Sequence, residues 1–252
     1  MTEIKPVFIA HRGYPALYPE NSLAGIEAAI HAGARYIEVD IQLSNSLTPF
    51  LCHDDHLQRL TGQDINLTML SNAEIEKLAV PYPASLPLSV NKAEPVSRLA
   101  EFCSYLAKHP QVFAFIEIKA ESVIRFGLRP TVTAIFDEVY PVRSQCIMIS
   151  FDQEALALIK KMGMATIGWV IEQRDEVTRD IASRLSPDFL FCDTTDLAVT
   201  IGEMWLGPWQ WIIYSVNDPT KAVQFAQAGF SLIETDDIGA MLGKTPLHTS
   251  QA

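Results

Sequence analysis

Along nearly the whole chain, strand-length apolar runs alternate with stretches of helical periodicity, and this alternation restricts the fold more than any other feature. The runs fall at 7–10, 36–40, 113–118, 146–150, 165–170, 189–192, 211–216 and 230–234. Between them, residues 21–33, 97–109, 152–163 and 219–229 carry helical spacing. The first of these has a polar starter at Asn21, apolar Leu23, Ile26 and Ile30, and Gly33 as its stop signal. Parallel strands linked by crossover helices produce such a pattern. Eight of them within 252 residues predict an α/β chain folded as a (β/α)8 TIM barrel. At 48% hydrophobic the chain can fill one large core, and no repeat, low-complexity tract or composition break divides it, so 1–252 is expected to be a single domain.

The run at 48–53 breaks the alternation. Only about seven residues separate it from the second strand, whereas a parallel crossover needs a dozen or more. It is expected to be the returning arm of a β-hairpin that turns near Asn45, Ser46 and Leu47 and brings His53 back beside Asp40. Residues 56–96 follow irregularly: Gly62, a short helical pattern at 68–79, then a proline-rich stretch at 81–87. They predict an insertion at the barrel mouth, a lid or a substrate wall.

Charge narrows the partners. Nineteen Lys and Arg against thirty Asp and Glu give a net charge of −11, which disfavours nucleic acid and anionic membrane surfaces, so an anionic substrate needs a local cationic site. Cys52, Cys103, Cys146 and Cys192 are scattered, form no CxxC pair and read as reduced core thiols. The apolar stretch before His11 is too short for a signal-peptide core, and no run reaches membrane-spanning length. These features predict a cytoplasmic globular protein without stable membrane association, and they leave its oligomeric state open.

In a barrel of this kind the chemistry sits where strands end at the C-terminal face. Those ends carry His11 and Arg12, Glu38 and Asp40, Glu117 and Lys119, Ser150, Trp169, Asp193, Asn217, and Glu234 to Asp236. Glu38 and Asp40 lie two apart and leave one face of their strand, and Glu117 ends the next parallel strand. Three converging carboxylates repel one another unless a cation compensates, and an all-oxygen set suits one hard divalent ion, Mg²⁺ or Ca²⁺, with Mn²⁺ a further candidate. Zinc would want more His or Cys. His11 and His53 are the candidate proton carriers, while His31, His56, His109 and His248 read as surface residues. Arg12 and Lys119 can clamp a phosphoryl group or neutralise the acids. Ser150 and Asn217 read as strand-end caps.

Taken in order, these residues resemble the glycerophosphodiester phosphodiesterase family. His11-Arg12-Gly13 with Pro19-Glu20-Asn21-Ser22 is similar to its opening signature, and Gly33-Ala34 leading to Glu38-Val39-Asp40 to its next element. His53-Asp54, Arg59-Leu60-Thr61, Glu117-Ile118-Lys119, Ser150-Phe151, Tyr214-Ser215-Val216-Asn217 and Thr235-Asp236 follow in family order. The resemblance implies a metal on Glu38, Asp40 and Glu117, an acid–base pair of His11 and His53, and a small-molecule glycerophosphodiester cleaved to sn-glycerol 3-phosphate and an alcohol. The chain departs from the pattern in the hairpin, which reads Ser44-Asn45-Ser46-Leu47-Thr48 without the usual lysine and acidic turn, and in the insertion, where Glu94-Pro95-Val96-Ser97 replaces an I-P-T-L element. Two other readings remain. One is a lysophospholipid or phosphoinositide phosphodiesterase with an apolar channel from Tyr82, Leu86 and Leu88; the other is a non-catalytic binder of phosphorylated metabolites.

Overall fold

The computed structural model describes residues 6–86, 92–194, 204–230 and 232–243. Its strands are β1 (Val7–Ala10), β2 (Tyr36–Leu43), β3 (Pro49–Leu51), β4 (Ala79–Pro81), β5 (Ala93–Pro95), β6 (Phe113–Ile118), β7 (Cys146–Ser150), β8 (Ile167–Val170), β9 (Phe189–Asp193), β10 (Gln210–Tyr214) and β11 (Leu232–Thr235). Eight of them, β1, β2 and β6 to β11, pair in parallel around a closed circuit, with β1 bonded to both β11 and β2. This is the (β/α)8 barrel that the alternating runs predict, and each of the eight runs supplies one barrel strand.

The helices form where the periodicity places them, and their ends have local causes. The helix Leu23–Ala32 starts at Ser22, whose hydroxyl accepts from the Gly25 N–H, and stops at Gly33, where φ of 108° suits a residue without Cβ. Asn21 is therefore not its cap, as the sequence had implied. It lies one residue earlier with φ 55°, buried, and its side chain serves Asp40 instead. The helices Leu99–Leu106, Gln153–Met162 and Pro219–Gln227 match the other three patterns.

β3 runs antiparallel to β2, with Ile41 opposite Leu51. The Cys52 N–H bonds the Asp40 carbonyl at 2.9 Å, so His53 lands one residue past the position opposite Asp40. Beyond the hairpin come a single 3₁₀ turn (Leu67–Met69), the short helix Asn72–Ile75 opened by a Ser71/Glu74 capping box, and the two-stranded ribbon of β4 and β5. Asn72 and the Leu70 carbonyl bond Ser44, Thr48 and Asn45, which ties this segment to the hairpin turn.

Strands covered on both faces need apolar residues in both directions. Outward, they pack on the helices in the largest core cluster. Inward, Ile9, Phe115, Ile147, Ile149, Val170, Phe191, Ile212 and Leu232 fill the barrel with an apolar plug. Gly168 makes room there, since an added Cβ would meet the Phe191 ring at 2.8 Å and Ile149 at 2.9 Å. All four cysteines are buried and none is in a disulfide. Among the described residues no helix is long and apolar enough to cross a membrane.

Candidate active site

Above the plug, the inward positions of β2 and β6 change from apolar to acidic. Tyr36, Glu38 and Asp40 leave one face of β2, as Phe115 and Glu117 do on β6, and Asp40 is in register with Glu117. Strand alternation thus stacks three buried carboxylates, Glu38, Asp40 and Glu117, whose ligand atoms lie within 4.8 Å of one another.

The local cations serve these acids unequally. Arg12 Nε lies 3.1 Å from Asp40, and Lys119 Nζ lies 3.4 Å from Asp40 and 2.8 Å from Glu117. Among the described residues Glu38 has the Arg12 backbone N–H at 3.0 Å and His11 Nε2 at 3.9 Å, and its buried Oε1 has no hydrogen-bond partner among them. Burial alone would raise Asp40, but Arg12 and then Lys119 hold it well below the usual carboxylate range. Burial followed by the charges of Asp40, Glu234 and Glu117 pushes Glu38 well above it. For Glu117 burial outweighs the offset from Lys119 and leaves it at about 6. This uncompensated oxygen-only charge fits a hard divalent cation.

His11 follows β1, and its Nδ1 is 2.7 Å from Asp236 Oδ1 and 3.2 Å from Ser215 Oγ. Burial pulls its pKa down, but the Asp236 hydrogen bond and the Glu234 charge more than reverse this, so the net shift is upward. Asn217 fixes Asp236: its Nδ2 donates to Asp236 Oδ2 at 2.8 Å, and its Oδ1 accepts from Thr235 Oγ1 and the Asp236 N–H. His53 has a parallel arrangement, with Nδ1 2.6 Å from Asp54 Oδ1. Its pKa is lowered by burial, with Lys119 and Arg12 adding to that and together outweighing Asp40 and Asp54.

Glu20 joins the two halves of the site. It takes Arg12 Nη1 at 3.0 Å and both Arg59 Nη atoms at 2.6 and 2.8 Å, while Arg59 Nε reaches Asp54 at 2.7 Å. Asn21 Nδ2 donates to the Asp40 carboxylate at 2.9 Å, and its Oδ1 accepts the Asp40 N–H at 3.1 Å. Ser150 stays local, donating to the Ile118 carbonyl at 2.7 Å and accepting from the Asp152 N–H at 3.0 Å.

His11, Arg12, Glu38, His53, Glu117 and Lys119 share a cavity of about 100 Å³ with Glu234. Its other wall is Ile149, Phe151, Val170, Phe191 and Tyr214. Tyr82 and Leu86 do not line it; Tyr82 instead packs on Tyr18 and bonds Glu94. Leu88 and His248 lie outside the described residues. The sequence placed Glu234 and Asp236 at a strand end and Asp54 and Arg59 in motifs, but gave none of the four a role in the site. The signal for Glu234 was its place two residues after Leu232 on a strand buried on both faces.

The profile of the glycerophosphoryl diester phosphodiesterase family matches residues 11–240. A human glycerophosphoinositol inositolphosphodiesterase, GDPD2, is 44% identical over 58 residues, 23% of this chain and 11% of that protein. A glycerophosphodiester phosphodiesterase of Bacillus altitudinis is 27% identical over 61% of each chain. The alignments thus span less than two thirds of either relative. Among solved structures, an Oleispira antarctica phosphodiesterase in complex with the product sn-glycerol-3-phosphate superposes with a TM-score of 0.81 at 19% identity, covering 95% of this chain and 96% of that one. A Silicibacter pomeroyi protein, a putative glycerophosphoryl diester phosphodiesterase by its description, gives 0.81 at 20% identity over 96% and 94%. At such identities these two likenesses speak to the fold.

Proposed function

The chain belongs to the glycerophosphoryl diester phosphodiesterase family, and from that premise we propose that it hydrolyses glycerophosphodiesters to sn-glycerol 3-phosphate and an alcohol, as a single-domain cytoplasmic enzyme. The observation that carries this reading is one cavity where Glu38 and Glu117 of the three-carboxylate cluster meet two carboxylate-backed histidines and two cationic side chains. The product named for the Oleispira antarctica neighbour supports the substrate class, and four buried cysteines outside any disulfide support a reducing compartment.

Glu38, Asp40 and Glu117 hold one divalent cation, Mg²⁺, Ca²⁺ or Mn²⁺. When bound, it supplies Lewis-acid neutralisation of the phosphoryl oxygens. Arg12 and Lys119 bind the non-bridging oxygens and share the charge that builds at phosphorus. Asp236 and Asp54 each engage the Nδ1 of a histidine, which leaves the Nε2 atoms of His11 and His53 for the substrate. One ring takes a proton from the attacking oxygen as its bond to phosphorus forms, and the other gives one to the alcohol oxygen as its bond breaks.

The test is release of sn-glycerol 3-phosphate from glycerophosphocholine. Exhaustive chelation should abolish it, a divalent ion should restore it, and His11→Ala or His53→Ala should lower kcat by ~10²–10⁴-fold. Turnover that survives chelation, or persists at the wild-type rate in either variant, would overturn the proposal.

A further inference from the structure

Glu234 is the cavity carboxylate that the proposed chemistry leaves unused. It shares the inward face of β11 with Leu232, a plug residue, and it neighbours the strand of His11, with Ile9 in register opposite it. It is 3% exposed and lines the cavity, yet among the described residues its Oε1 has no hydrogen-bond partner. A buried carboxylate oxygen without a donor is costly to keep, and a ligand that brings the donor removes the cost. Glu234 is not part of the group whose ligand atoms cluster within 4.8 Å. It stands between His11 on one side and Tyr214, Phe191, Val170 and Ile149 on the other, where the charged half of the cavity meets the apolar half.

A group suited to that boundary has carbons for the apolar wall and a hydroxyl proton for Oε1. We propose that Glu234 accepts a hydrogen bond from a hydroxyl of the glyceryl group and so selects hydroxyl-bearing diesters over plain alkyl ones. This deepens the phosphodiesterase reading and rests on it. An n-propyl group would fill similar space and leave Oε1 bare, and sites built to pair with a substrate hydroxyl discriminate strongly against analogues that lack it.

The experiment compares kcat/KM on glycerophosphocholine and on n-propyl phosphocholine for the wild type, Glu234→Gln and Glu234→Leu. The readout is the ratio between the two substrates. It should favour the glyceryl compound in the wild type and fall ~10- to 100-fold in Glu234→Leu. Glu234→Gln keeps the size and loses the charge; it should lower the ratio severalfold and carries the test if the Leu variant does not fold. An unchanged ratio overturns the proposal. So does an equal loss on both substrates accompanied by weaker Mg²⁺ binding, which would assign Glu234 to the cation. Calorimetry of glycerol 3-phosphate against n-propyl phosphate separates the two readings. If the wild type cleaves neither diester, the hydrolase reading fails, while a preference for glycerol 3-phosphate that disappears in Glu234→Leu still supports the hydroxyl contact and no preference overturns it.

Discussion

Replacing Asp236 with Asn tests how His11 is held. Asp236 uses both oxygens, Oδ1 on His11 Nδ1 at 2.7 Å and Oδ2 as acceptor from Asn217 Nδ2 at 2.8 Å. Asn217 cannot turn over, because its Oδ1 already accepts from Thr235 Oγ1 at 2.9 Å and from the Asp236 N–H at 2.8 Å. An asparagine side chain at 236 must then set its carbonyl toward Asn217 and its NH₂ toward His11. His11 Nδ1 becomes an acceptor, and the neutral ring carries its proton on Nε2, the nitrogen 3.9 Å from Glu38. A ring in that tautomer cannot accept a proton at Nε2, and an imidazolium would lack its counterion. We expect kcat to fall by ~10²–10⁴, or roughly 2.7–5.4 kcal/mol of barrier. Asp236→Ala imposes no tautomer and leaves Ser215 Oγ 3.2 Å from Nδ1, so it should do less damage than Asn. Adding Asn217→Ala to Asp236→Asn frees the amide to flip and should recover about tenfold. The assay is steady-state turnover of glycerophosphocholine, with a thermal melt of each variant to confirm folding. An Asp236→Asn enzyme within about threefold of wild type, or an Ala variant worse than the Asn variant, would refute the reasoning.

Two more expectations concern stability. Glu117 and Glu234 are pushed up to about 6 and about 7, and Glu38 is also raised, all from an ordinary glutamate value of 4.5. Folded values above unfolded ones mean that stability is full below about pH 4.5 and is lost as pH rises through the folded values. A divalent ion offsets this loss, so Mg²⁺ should raise the Tm more at about pH 8 than at about pH 5, and equal rises in a melting scan would count against the charge cluster. In the hairpin turn, Leu47 holds a φ of 59° and is 37% exposed. Leu47→Gly should therefore stabilise by about 0.5–1 kcal/mol in urea titration, the left-handed cost relieved less the extra freedom of an unfolded glycine; a loss of stability would show that the leucine packs usefully.

The barrel was legible in the sequence because parallel strands buried on both faces must be apolar throughout, and Glu38, Asp40 and Glu117 stand out against that background by period and position. The hairpin was legible from length alone, though counting residues to the bend missed the register by one. Orientation was harder to read. Whether Asn21 caps a helix or holds Asp40 depends on a local φ of 55°, and both uses suit asparagine. The carboxylates behind the histidines come by different routes: Asp54 is adjacent in sequence to His53, whereas Asp236 reaches His11 from 225 residues away through the closing β1–β11 pair. Ring closure creates that contact, and no local pattern encodes it. β4 and β5 are three residues each, too short to show alternation.

The packed interior beneath the carboxylates also governs traffic. With Ile9, Phe115, Phe191 and Leu232 filling the floor, nothing passes through the barrel, and whatever the cavity binds enters from the strand-end side. In the proposed reaction both fragments of a cleaved diester would then leave on that same side. A bulkier wall at Phe151, which lines the cavity, would then slow release without touching a catalytic group.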